Sequence, residues 1–94
     1  MSLTAEIWDV TRNDGEVKLW LGERQVPQPD PAGQAALRVF GDCSCAEMLV
    51  GKTIWAAGSG PIMCGDVEIG KRVGYTGCVL FNHAIREVCA VQSG

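Results

Sequence analysis

Glycines recur through the second half of this chain and divide it into short segments. Seven glycines fall between positions 51 and 77: Gly51, Gly58, Gly60, Gly65, Gly70, Gly74 and Gly77. The runs between them are rich in β-branched and aromatic residues, as in Thr53-Ile54-Trp55 and Val67-Glu68-Ile69. Such runs favour strands, whereas glycine supplies the backbone conformations that tight turns need. The region therefore predicts several short strands joined by turns.

The first segment, from Leu3 to Gln25, has the pattern of a β-hairpin. Its two halves alternate apolar and polar residues on either side of Asn13-Asp14-Gly15. In the second half, one face of the strand is aliphatic, with Val17, Leu19 and Leu21. This period of two is typical of a half-buried strand. We expect a three-residue loop that pairs Arg12 with Glu16 and sets Trp8 opposite Trp20.

Alternating prolines at Pro27, Pro29 and Pro31 interrupt any regular structure after the hairpin. Asp30 before Pro31 is a favourable helix start, since an N-cap residue precedes proline at the first helical position. This pattern predicts about two helical turns that end near Leu37. The alternative is a strand over residues 35–40, where β-branched and aromatic residues gather.

Two later segments carry more specific signals. Ser44-Cys45-Ala46-Glu47 has the form of a capping box and predicts a short helix that stops at Gly51. Asn82-His83 lies between Val79-Leu80-Phe81 and Ile85-Arg86-Glu87-Val88, which is compatible with a tight turn between two C-terminal strands.

The length of 94 residues and the apolar content of 47% are those of one globular domain covering residues 1–94. We expect a mainly β or α+β fold of about five to seven short strands and one or two short helices. The strands would form a small barrel or a strongly bent antiparallel sheet.

Charge and hydropathy disfavour nucleic-acid and membrane partners. The formal net charge is −3, and the adjacent pair Lys71-Arg72 is the densest basic cluster. A nucleic-acid binder needs clustered cations to displace counterions from phosphates. No apolar run approaches the ~20 residues that span a bilayer. The N-terminal residues 1–6 also lack the basic and apolar regions of a signal peptide, so we expect a cytoplasmic protein.

The five cysteines and the single histidine are the candidates for reactive chemistry. An odd number of cysteines in a cytoplasmic chain predicts free thiols, several of them buried among apolar neighbours. Cys43, Cys45 and His83 are the candidate reactive residues, and a small enzyme that pairs a cysteine with His83 is one alternative function. A zinc-binding domain is another, although Cys43 and Cys45 form the one closely spaced ligand pair. Nothing in the pattern indicates a cofactor.

Trp8 and Trp20 are the strongest candidates for a binding site or a subunit interface. Both fall on strand faces that otherwise carry Thr4, Glu6, Glu16 and Lys18. Tryptophan on a polar face is either covered by other elements of the fold or used in binding. Trp55, by contrast, has the context of ordinary strand packing. The leading hypothesis is a non-catalytic binding or interaction module, homodimeric or a higher homo-oligomer, with a small molecule or another protein as a further class of ligand.

The cysteine pattern predicts that the protein isolated from a reducing cytoplasm contains no disulfide. Adding a reductant should therefore leave its melting temperature unchanged. Cys43 and Cys45 would be the pair most prone to link, because they are close together near a turn. A loss of about 2 kcal/mol or more of unfolding free energy on reduction would contradict the prediction, since a native cross-link contributes that much.

Overall fold

The computed structural model describes residues 2–22, 35–41, 43–74 and 77–93. These residues form strands β1 (Ser2–Asn13), β2 (Glu16–Gly22), β3 (Ala35–Val39), β4 (Thr53–Ala57), β5 (Pro61–Cys64), β6 (Val67–Val73) and β7 (Gly77–Leu80). A 3-10 helix (Ala46–Leu49) lies between β3 and β4, and helix α1 (Asn82–Ser93) follows β7.

The strands form one sheet that closes into a barrel in the order β1-β2-β3-β7-β6-β5-β4. The long strand β1 closes the ring, because its residues 2–6 pair with β4 and its residues 6–13 pair with β2. Neighbouring strands are antiparallel except β3 and β7, which run parallel at Arg38 and Val39. The predicted fold class, a small strand-rich barrel with one or two short helices, is confirmed.

Apolar side chains from all parts of the described chain fill the barrel, and no polar or charged residue among the described ones is buried with them. The predicted alternation in β2 is confirmed, since Val17, Leu19 and Leu21 are buried and their neighbours are half-buried. The largest fully buried side chains come from β1, β2, the 3-10 helix, β4, β5, β6 and α1: Ile7, Leu19, Leu49, Ile54, Ile62, Ile69 and Ile85.

The first hairpin forms as predicted, but its loop and register differ. Asn13 pairs with Glu16, so the loop has two residues, and both Asp14 and Gly15 have positive φ, at 53° and 78°. Two positive φ values are the signature of a turn whose twist matches that of the strands it joins. The prediction of a three-residue loop pairing Arg12 with Glu16 was therefore wrong.

Of the two segments that follow the prolines, the first forms a strand and the second a 3-10 helix. Residues 35–39 form β3, so the strand alternative is confirmed at this position. The predicted N-cap at Asp30 lies outside the described residues, and the helix expected to end near Leu37 was wrong over residues 35–37, which belong to β3. The capping box was wrong: the short helix is a 3-10 helix with Cys45 at its N-cap and no side-chain cap. The Glu47 carboxylate is held instead by Arg12, through Nε and Nη2 at 2.7 and 2.8 Å.

The C-terminal segment is a helix rather than two strands joined by a turn at His83. Its buried residues Ala84, Ile85 and Val88 are spaced for one face of a helix, so burial against the barrel favours this structure. The helix begins where Ala84 and Ile85 both donate to the carbonyl of Phe81. None of the helices in the described ranges is long and apolar enough to span a bilayer.

Strands β6 and β7 approach each other closely at Gly70. A Cβ at this buried position would overlap the carbonyl oxygen of Val79 and lie 2.8 Å from Leu80 Cδ2. Because backbone is in the way, we expect Gly70→Ala to lower the free energy of unfolding by about 2 kcal/mol or more. Glu68→Ala, at an exposed position of the same strand, is the control and should change it by less than about 0.5 kcal/mol. Equal urea midpoints for the two variants would contradict this close approach.

Candidate functional site

A β-bulge in β1 brings the two candidate tryptophans together. Ile7 pairs with Leu21 and Asp9 pairs with Trp20, so Trp8 is the extra residue of the bulge. A bulge places two residues opposite one and reorients their side chains. Trp8 thus lies beside Trp20, although the register is not the one predicted. We call the outer surface formed by Trp8, Thr11, Lys18 and Trp20 the Trp8–Trp20 face.

Three contacts fix Trp20 on this face. Its indole Nε1 donates to Thr11 Oγ1 at 2.8 Å, across the hairpin. Its ring centroid lies 6.2 Å from that of Trp8, with the planes tilted by 44°, a favourable arrangement for an aromatic pair. The ammonium group of Lys18 lies 5.6 Å from the ring, within the range of a cation–π contact. Both tryptophans are half-buried.

The indole N–H of Trp8 differs from that of Trp20. Its Nε1 is buried and has no hydrogen-bond acceptor within the described part of the chain. A buried donor without an acceptor costs roughly 1–3 kcal/mol. The Trp8 ring therefore owes its position to the bulge and to the contact with Trp20 rather than to a hydrogen bond from the described residues.

A shallow groove of about 300 Å³ runs along the hairpin next to Trp20. Charges of both signs border it: Glu16 Oε1 lies 3.1 Å from Arg38 Nε and 3.7 Å from Lys18 Nζ. The groove is lined by Thr11, Asn13, Asp14, Glu16, Lys18 and Trp20. The site thus joins an aromatic pair to a surface of mixed charge.

Trp55 is not packed as the sequence predicted. Its side chain is 42% exposed on the outside of β4, and its Nε1 donates to the carbonyl of Gly65 at 3.1 Å. It pairs with Met63 of β5 on one side and with Thr4 of β1 on the other. Other large apolar side chains that are exposed on the described surface are Phe40, Met48, Val50 and Val73.

His83 lies in the first turn of α1 with an exposed side chain. Its ring stacks on Phe81, with centroids 5.9 Å apart and planes 14° from parallel. The structure thus places the His83 ring beside that of Phe81. Among the described residues, no three histidine, cysteine or acidic side chains are grouped as ligands for a metal ion.

Cys43 and Cys45 lie in a turn at the end of the barrel. The guanidinium group of Arg12 donates to the carbonyl of Cys43 and to both carboxylate oxygens of Glu47. This contact with Arg12 holds the pKa of Glu47 below its usual value. From the other side, Arg86 Nε of α1 donates to Cys45 Sγ at 3.0 Å.

Burial makes the thiols of Cys43, Cys64 and Cys78 less reactive than an exposed cysteine. It raises the pKa of Cys43 and of Cys64, and it raises the pKa of Cys78 to about 12. A buried thiol disfavours the thiolate form, because the charge loses its hydration. These three cysteines therefore act as small apolar side chains in the resting protein.

Sequence reasoning missed the two arginines that hold the cysteine turn. Arg12 reaches it from 31 residues away, and Arg86 from 41 residues away. Isolated cations carry no signal of such contacts in a single sequence. The signal that could have predicted the helix carrying Arg86, in place of a strand, is the spacing of apolar residues after Phe81, since intervals of three and four are helical.

Comparisons with protein-family models, curated proteins and solved structures found no match for this chain.

Because Trp20 donates a hydrogen bond to Thr11, replacing Trp20 should cost more stability than replacing Trp8. Trp8→Phe and Trp20→Phe remove the same atoms, but Trp20→Phe also leaves Thr11 without its donor. We expect Trp20→Phe to lower the free energy of unfolding by about 1 kcal/mol more than Trp8→Phe does, measured in urea. In a Thr11→Val background this difference should disappear. An equal cost of the two changes in the parent would show that the bond contributes nothing.

Proposed function

We propose that this chain is a non-catalytic interaction module that self-associates into a homodimer through the Trp8–Trp20 face. The observation that carries the proposal is the pair of adjacent tryptophans on the outer surface of the barrel, at 6.2 Å between ring centroids. Tryptophan is enriched at the energetic centres of protein interfaces, because it buries a large area with few rotatable bonds.

The charges around the tryptophans favour a second copy of the chain as the occupant. Arg38, Glu16 and Lys18 form a row of alternating sign beside Trp20. A two-fold axis through this face would bring the cations of one copy close to Glu16 of the other. A face of one sign would repel its own copy, whereas a face that carries both signs favours pairing with it.

The proposal includes a cytoplasmic location, supported by an odd number of cysteines, which suits a reducing compartment. A small molecule or another protein in the groove beside Trp20 is the competing occupant. Such a ligand would leave the free protein monomeric, so the oligomeric state in solution separates the two classes.

Replacing Trp20 with glutamate tests the dimer directly. Light scattering at tens of micromolar protein should give a dimer for the parent and a folded monomer for Trp20→Glu. The expected weakening is about 2 kcal/mol or more, the loss typical of a central interface residue. Circular dichroism on the same samples establishes that the variant is folded.

Trp55→Glu is the matched control, because Trp55 is an exposed tryptophan on the opposite edge of β1 and carries the same change in charge and size. It should leave the dimer intact. A monomeric parent would overturn the proposal, and so would dissociation by Trp55→Glu but not by Trp20→Glu. If Trp20→Glu unfolds a monomeric parent, the tryptophans are part of the core instead.

A further inference from the structure

The turn that carries Cys43 and Cys45 brings the backbones of the two residues close together. Ala46 donates its backbone N–H to the carbonyl of Cys43 at 3.4 Å, which closes a turn over residues 43–46. The Cys43 thiol lies against the backbone N–H of Cys45. Residues two apart in such a turn have Cα atoms roughly 5.5 Å apart, within the range that a disulfide spans.

The two thiols have different surroundings, which assigns them different roles. Cys45 Sγ accepts from Arg86 Nε at 3.0 Å and lies 3.8 Å from Ser44 Oγ. A hydrogen bond from a charged donor is stronger than one between neutral groups, so it holds this sulfur towards Arg86. Burial raises the pKa of the Cys43 thiol, against the smaller opposing effects of the backbone N–H of Cys45 and of the Arg12 charge. Because burial disfavours the Cys43 thiolate, Cys43 is the thiol suited to follow, and Cys45, held by Arg86, is the one suited to attack first.

We propose that Cys43 and Cys45 form a redox-active dithiol that small-molecule disulfides of the glutathione class oxidise to an intramolecular disulfide. Ser44, between the two cysteines, is exposed, so the turn lies at the surface of the barrel. The buried thiols reach the reagent when this turn opens locally.

The chemistry proceeds by two thiol–disulfide exchanges. The Cys45 thiolate attacks one sulfur of the reagent, forms a mixed disulfide and expels the first small thiolate. The Cys43 thiol loses its proton and attacks Cys45 Sγ, which expels the second small thiolate. The two expelled thiolates take up the two protons that the protein thiols released. The protein loses two electrons, and the reagent gains them.

The positions of arginine and lysine make the test unambiguous. Trypsin cleavage yields the peptide 39–52, which holds Cys43 and Cys45 and no other cysteine. The remaining cysteines fall in three separate peptides, 53–71, 73–86 and 87–94. Folded, reduced protein is treated with oxidised glutathione, its free thiols are alkylated, and the digest is read by mass spectrometry.

We expect peptide 39–52 to lose two hydrogens and take up no alkylating agent, while the other three cysteines are alkylated. Protein unfolded in urea, treated in the same way, is the reagent control and should carry glutathione on all its cysteine peptides. A cross-link from 39–52 to another peptide, glutathione on Cys89 alone, or five alkylated cysteines in the folded protein would each overturn the proposal.

Arg86 variants test the role assigned to it. Arg86→Gln should slow disulfide formation roughly tenfold, the effect of losing one charge-assisted hydrogen bond. Arg86→Lys, which keeps the positive charge, should recover part of the rate. Lys71→Gln is the control at an exposed cation of β6, outside both sites, and should react as the parent does. An unchanged rate in Arg86→Gln would overturn the assignment of Cys45 as the attacking thiol.

Discussion

The double pairing of β1 is the constraint on which the rest of this structure depends. Its first residues pair with β4 and its last residues pair with β2, so the sheet has no free edge at this point. The change of partner occurs at Glu6, which pairs with both strands, and the backbone of the next residue, Ile7, bonds to Gly51 and Lys52 at 2.7 and 2.9 Å. Gly51 has a φ of 88°, which glycine adopts readily, so that the chain can pass close to β1 here.

The bulge that follows Ile7 links barrel closure to the outer surface. A closed barrel of short strands must bend sharply, and a bulge supplies the bend by adding one residue to one strand. Here the added residue is Trp8, which the bulge turns outward beside Trp20. After the bulge, Val10 packs against the core, and Arg12 reaches the cysteine turn. One irregularity therefore determines both the aromatic pair and the position of the arginine that holds Cys43.

The Trp8–Trp20 face and the cysteine turn depend on different amounts of the fold. The Trp8–Trp20 face is built within one hairpin, from residues close in sequence. The cysteine turn depends on three separate elements, because β1 supplies Arg12 and α1 supplies Arg86. Its geometry consequently requires the complete barrel with the helix packed against it, whereas the aromatic face requires the first two strands.

The sequence alone determined the strand-rich class, the first hairpin and the inward face of β2, because alternation in Val17, Leu19 and Leu21 is a local signal of burial. It also indicated Trp8 and Trp20 as outward residues. The tertiary structure decided what local patterns leave open: the bulge at Trp8, the helical C-terminus, and the partners of Glu47 and Cys45. A capping box and an ion pair with Arg12 are both compatible with Glu47 in sequence. The choice between them depends on barrel closure, which brings a side chain 35 residues away to hydrogen-bonding distance.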